Sequence, residues 1–442
     1  MSDSTNNKMG VVQLTVLTAV NMMGSGIIML PTKLASVGTM SVLSWIVTAF
    51  GSLCLAYGFS KCGMFSRKSG GMGGYAEYAF GKSGNFMANF TYAISLVIAN
   101  IAIAISAVGY GAVLFDWHPS PIMTCIATII VIWVTTVANF GGAKITGRIG
   151  AVTVWGVIIP VVGLSIIGWF WFKPEMYIQA WNPHHLSFVS GLGSSIAMTL
   201  WAFLGLESAC ANSDAVENPE KNIPVAVFGG TLICAVIYIL STNVMAGFVP
   251  NLDLANSTAP FGLAFSYMFT PIVGKVIMAL MVIACIGSLL GWQFTVAQVF
   301  KSSSEIGYFP RIFAKVTSKE APVVGMLILG VVQTLLSLMT ISPSLNKQFN
   351  ALVNLAVVTN LIPYILSMAA LIPMHRLYKI SSKTHTMIMF TALIGTIYSF
   401  YALYSSGSEA MLMGSLVTFA GWSFYGFCVR DDNTCPNKSQ NT

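Results

Sequence analysis

The stretch WAFLGLESAC, Trp201 to Cys210, places an acid, Glu207, near the middle of a long apolar run. A carboxylate in apolar surroundings is costly unless it is paired. No Lys or Arg occupies a comparable depth in any apolar run of the chain. A counter-ion for Glu207 then has to come from outside, as a cation or a proton. The other reading is an acid kept protonated, or hydrogen-bonded near the inner end of its helix.

Two tryptophans could serve the same cation. Trp201 precedes Glu207 by six positions, which is about 240° around an ideal helix, so the two would not share a face. A break near Gly205 would bring them to one cavity. In GSLLGWQF, Trp292 follows Gly291 deep in another apolar run. Tryptophan in membranes prefers the interface, so a deep one needs a reason. An indole face holds a desolvated ammonium with about 2 kcal/mol, and the competing reason is packing. Tyr92 and Tyr425 are lesser candidates, with packing or interhelical hydroxyl bonds as their alternative.

The elements that carry these residues are membrane helices. The chain has 442 residues, of which 55% are apolar and 8% charged, where a soluble protein would carry about a quarter charged. Runs of about 20 apolar residues, each able to cross a bilayer, recur at 11–30, 39–60, 84–114, 121–140, 149–172, 190–212, 223–248, 273–299, 322–341, 349–373, 386–406 and 409–429. The longest hydrophilic stretches are 61–83 and 300–321, too short for a soluble domain. Residues 1–10 read as a retained cytoplasmic tail without a cleavable leader, and 430–442 as a second tail.

With the N-terminus inside, 17 of the 21 Lys and Arg fall on the inner side, and only Lys33, Lys173, Lys275 and Lys347 fall outside. This is a strong positive-inside bias for an even number of spans. The net charge of +7 thus reflects topology and gives no support for nucleic-acid binding. Of the fourteen acids, Glu207 alone lies deep in a span; Glu77 is in the inner 61–83 stretch and Asp116 in an outer loop. The eight cysteines lie in spans or at inner ends, so a disulfide framework is not expected.

Two spans read as interrupted. The first holds Asn21 and then Gly24-Ser25-Gly26 in its middle, and the sixth holds Gly205 beside Glu207. Breaks at the first and sixth positions suit two five-helix halves related as inverted repeats. Amides freed by a break attract a carboxylate, and freed carbonyls attract an ammonium; together they suit an amino acid backbone. GGYAEYAFGKS fails the phosphate-loop pattern G-x-x-x-x-G-K-S/T because Ala76 stands where Gly is required. His184-His185 has no further metal ligands nearby. The sequence gives no support for an enzyme, a metal or a cofactor.

The runs NMMGSGIIMLPTKLA, GMFSRKSGGMGGYAEYAFGKSGNFMAN, WNPHH, GSSIAMTLWAFLGLESACAN and VENPEKNIP resemble the basic amino acid/polyamine antiporter family of the amino acid–polyamine–organocation superfamily. The resemblance runs from about Lys8 to Tyr425. It implies an all-α transporter domain over 11–429, with twelve transmembrane helices, inverted repeats at about 11–172 and 190–373, and extra helices at 386–429. It implies that Gly24, Ser25, Gly26 and Ile27 form an unwound segment receiving a substrate carboxylate. Trp201 then resembles an outer gate, Trp292 a platform and Glu207 an acid that holds the cation or senses a proton. Glu77 either attracts cations at the inner mouth or pairs with Arg67 or Lys68.

The implied activity is exchange of external ornithine for internal putrescine by alternating access, with proton-coupled putrescine uptake as a further mode. Lysine/cadaverine exchange is the alternative, and a polyamine channel or sensor a remote one. The implied setting is a bacterial inner membrane with both termini cytoplasmic, as monomer or homo-oligomer. A cytosolic ornithine decarboxylase would be the functional partner, and acid resistance a consequence.

Overall fold

A computed structural model of the chain describes residues 9–24, 26–66, 68, 70–207, 216–378 and 382–428. The described residues are helical, with no strand. The first helices are α1 (Val11–Met23), α2 (Leu30–Val37), α3 (Val42–Phe65), α4 (Met72–Leu114) and α5 (Pro121–Ala138). Then come α6 (Ala143–Thr153), α7 (Trp155–Ile167), α8 (Pro174–Gln179) and α9 (Phe188–Trp201). The second half holds α10 (Pro219–Ala246), α11 (Asn251–Asn256), α12 (Pro260–Met268) and α13 (Pro271–Glu305). It closes with α14 (Val323–Met339), α15 (Leu345–Tyr378), α16 (Ser382–Ser405) and α17 (Ser408–Cys428).

Nine helical stretches among the described residues are long and apolar enough to cross a bilayer, and α1, α9 and α14 are shorter apolar helices. Together they account for the twelve expected spans. Two of the short ones are the first and sixth, where glycines interrupt the apolar run. Helix α1 stops at Met23, with the Gly24 amide donating to the Val20 carbonyl at 3.1 Å. Helical backbone resumes only at Leu30, where Pro31 in the first turn of α2 needs no amide partner. Helix α9 ends at Trp201, and the chain continues through turns to Glu207.

The packing centres on α4, whose membrane window is 89% buried, against 11% for α17. Helix α4 packs along α15 and α13, α3 packs on α10, and α5 on α14. A nine-residue inner segment of α4, residues 72–80, precedes Gly81, whose φ of +64° breaks the helical path before the buried segment. The stretch 61–83, expected as a hydrophilic connection, is therefore mostly helix. Two short outer helices, α11 and α12, were also not anticipated. Their runs are too short to span, yet Leu254, Phe261 and Phe265 are buried.

Charged side chains gather at the two ends of the bundle. Lys33 donates to the Asn346 carbonyl at 3.1 Å and Lys275 pairs with Asp116 at 2.7 Å, all at what we call the outer end. At the opposite end Lys68 pairs with Glu77 at 2.7 Å, and Met9 bridges to Val216.

Close helix contact in membranes relies on small residues. On α7, a Cβ at Gly156 would lie 2.4 Å from the Leu280 carbonyl oxygen of α13, whereas one at Gly163 meets nothing within 4 Å. Gly156→Ala should therefore cost about 1–3 kcal/mol through overpacking, read as a lower Tm of the detergent-purified protein. Gly163→Ala should leave Tm unchanged or raise it, because alanine favours helix by about 1 kcal/mol over glycine.

Candidate functional site

The break in the sixth span brings the predicted residues together. Gly205 adopts φ +109°, a backbone conformation that side chains disfavour. A Cβ there would sit 3.2 Å from the Asn21 carbonyl oxygen and 3.4 Å from the Trp292 ring. Glycine thus serves twice, by allowing the turn and by letting the break of α9 approach both α1 and α13. The first break meets it closely, since a Cβ on Gly26 would fall 2.8 Å from Ala202 Cα. The freed Ile28 carbonyl is also satisfied, by the buried Tyr110 hydroxyl of α4 at 2.9 Å.

Glu207 is buried, with 5% of its surface exposed. Its Oε1 accepts from the Tyr92 hydroxyl of α4 at 3.0 Å. Its Oε2 accepts from the Gly205 amide at 3.0 Å and from the Tyr364 hydroxyl of α15. Hydrogen bonds of this kind, to a charged acceptor, are about twice as strong as neutral ones. They fill lone pairs but bring no positive charge. The carboxylate is hydrogen-bonded without a protein cation among the salt bridges of the described residues.

The acid borders a cavity lined also by Trp201, Trp292, Gly205, Gly26, Asn21 and Asn360. The break at Gly205 therefore puts Trp201 and Glu207 on one cavity despite their helical offset. The Trp201 indole N–H and the Asn360 side-chain oxygen are buried without hydrogen-bond partners, offering one donor and one acceptor. The cavity measures about 30 Å³, close to the volume share of one water in the liquid. A larger ligand requires the surrounding helices to part.

These features belong to a known type of carrier. A family model described as amino acid permease matches residues 9–427. The chain is a member of the amino acid permease family. It is 71% identical over 426 residues to the putrescine transporter PotE of Escherichia coli, covering 96% of this chain and 97% of that one. With the putrescine transporter PotE of Haemophilus influenzae the identity is 68% over 422 residues, again covering 96% and 97%. A cadaverine/lysine antiporter of Escherichia coli is 31% identical over 430 residues, covering 96% and 95%.

The other candidate positions of this permease fall in different places. Tyr92, ranked low from sequence, contacts Glu207 directly. Of the first break, Gly26 lines the cavity, Gly24 instead faces Ser288, with a virtual Cβ 2.9 Å from its hydroxyl, and Ile27 is fully buried in the apolar core. Ser25 lies outside the described residues. Glu77 is at the inner end, away from the cavity, held by Lys68 at 2.7 Å and Asn85 at 2.7 Å. Tyr425 packs edge-on against Phe86 at 5.4 Å and does not line the cavity. Sequence reasoning missed Tyr364 and Asn360, which sit four apart in an apolar run and so share a helix face.

Two substitutions test the geometry. Gly205→Ala should meet strain of about 1–3 kcal/mol, enough for about a tenfold loss of transport, with a normal size-exclusion profile. Tyr364→Phe removes one donor from a buried carboxylate, a cost of about 1–3 kcal/mol. Its expected signature is a lower Tm together with altered transport.

Proposed function

We propose that this permease exchanges external ornithine for internal putrescine across a bacterial inner membrane, with both termini cytoplasmic. The carrying observation is a buried acid without a protein counter-ion among the described residues, sharing with two indoles the cavity where both broken helices meet. The names of the two most similar relatives described above favour putrescine as one substrate. We further read the 11–429 domain as inverted repeats over about 11–172 and 190–373. The pairing of α3 with α10, α4 with α13 and α5 with α14 supports this reading, because a twofold axis sets equivalent helices together.

Recognition of the two substrates divides between two kinds of group. Both carry ammonium ends, suited to Glu207, the Asn360 oxygen and the faces of Trp201 and Trp292. Only ornithine carries a carboxylate, for which the amides freed between α1 and α2 are available. Putrescine binding must therefore rest on the acid and the aromatic residues.

The cycle is electrogenic. Ornithine brings in one net positive charge and putrescine takes out two, so one charge moves outward against an inside-negative potential. That costs about 2.3 kcal/mol per 100 mV, to be supplied by the two concentration gradients. A cytosolic decarboxylase that converts ornithine to putrescine would maintain both gradients while consuming a proton.

Counterflow in proteoliposomes tests the proposal. External ornithine should release preloaded labelled putrescine without an imposed proton gradient, and lysine should do so much less well. Equal release by lysine would overturn the substrate assignment. Glu207→Gln keeps the shape and removes the charge, and it should reduce exchange by about tenfold or more, the loss expected when a close charge pair worth at least 1.4 kcal/mol is removed. Exchange with an unchanged rate and pH profile would remove Glu207 from the site.

A further inference from the structure

The central cavity has room for about one water, yet a cavity of about 350 Å³ lies open at the outer end. That volume is within the range of small-molecule sites. Its walls include Asp116, Trp117 and His118 after α4, Thr258 before α12, and Ser344 and Gln348 at the start of α15. Asp116 carries the Lys275 ammonium at 2.7 Å, and that ammonium holds the Asp116 carboxyl below its usual range. Asp116, at the wall of the cavity, thus already holds a primary alkylammonium, one that is tethered to the protein. Both partners are well exposed, at 48% for Lys275 and 75% for Asp116. Such pairs contribute about 0–1 kcal/mol, so replacing the tethered ammonium by a free one costs little. The neighbouring outer acid Asp253 is differently placed, bonded by the Tyr267 hydroxyl at 2.6 Å.

The floor of this cavity adjoins the first break. The Thr258 hydroxyl donates to the Gly109 carbonyl at 3.5 Å. A Cβ on Gly109 would lie 3.2 Å from both the Thr258 carbonyl oxygen and Leu345. The next residue, Tyr110, holds the Ile28 carbonyl and accepts from the Phe261 amide at 3.3 Å. A ligand in the outer cavity therefore rests on the seam of α4, α12 and α15 that also secures the break between α1 and α2.

We propose that the outer cavity is a receiving site for a free primary alkylammonium, with Asp116 as its acid, Trp117 as its aromatic wall and Lys275 as a built-in competitor. This rests on the cationic substrates proposed above and adds a first docking position on the outer side. Because Lys275 competes for Asp116, removing the two partners of one ion pair has opposite consequences.

The test measures half-saturating concentrations on each side of the membrane in proteoliposomes of defined orientation. Asp116→Asn should raise the value for external ornithine by about threefold, the signature of lost ground-state binding. Lys275→Ala should lower it by about the same factor. The value for internal putrescine should move in neither variant. Shifts in the same direction, or no external shift, overturn the receiving site, since a merely structural ion pair would be weakened equally by either change. A second measurement is independent of transport. Putrescine titrated calorimetrically into Glu207→Gln protein should show weak residual binding, strengthened by adding Lys275→Ala and removed by adding Asp116→Asn. Residual heat indifferent to Asp116→Asn overturns the site even if exchange itself is established, and its dependence on Asp116 sustains the site even if ornithine exchange fails.

Discussion

The architecture around the centre is organised by one requirement, that the Glu207 carboxylate be kept hydrogen-bonded inside an apolar bundle. Each of its donors comes from a different element: Tyr92 from α4, Tyr364 from α15 and the Gly205 amide from the break itself. Leaving a charged group short of donors in such surroundings costs more than forming each bond gains. The three elements are consequently tied to a single point. Any motion that moves one of them away from Glu207 must offer the carboxylate another donor, and an ammonium group is a suitable one.

The breaks impose the same accounting on the backbone. Irregular backbone at membrane depth survives only where its polar groups find protein partners or line a cavity. Tyr110 covers the Ile28 carbonyl. Glycine makes the remaining approach feasible, because Gly26 and Gly205 let the two broken segments touch where any side chain would separate them. The breaks are thus held in place by neighbouring helices while Gly26 and Gly205 line the cavity.

Much of this was legible in the sequence, for identifiable reasons. Spans follow from apolar length, and all twelve expected runs contain helix. Glu207, Gly205 and Trp292 were conspicuous because each residue type is out of place at its depth. Tyr364 was not, since tyrosine is unremarkable in a membrane helix and its partner lies 157 positions away. Only packing reveals that pair. Gly24 misled in the opposite sense: it shares a run with Gly26, but the helix end turns it towards Ser288. Tyr425, a lesser candidate with packing as its alternative, packs in a peripheral cluster with Phe86. Composition and spacing identify the element that breaks, while the side each residue faces is decided by tertiary contact.

Hydrogen bonding and neutralisation are separate demands on Glu207, and the difference bears on exchange. When Glu207 is ionised, the tyrosines and the Gly205 amide satisfy its oxygens but leave a negative charge in a medium where an unpaired ion costs several kcal/mol. A bound ammonium adds the missing charge. In the exchange cycle proposed above, reorientation with a cation in place would move a neutralised centre through the closed state. Reorientation without one moves a hydrogen-bonded but uncompensated carboxylate, which is slower by the factor that this difference sets. A gap of about 2.8 kcal/mol already favours the loaded path a hundredfold. For the exchange proposed above, no dedicated lock is then needed, because the loaded path is favoured by burying one acid without a counter-ion among the described residues.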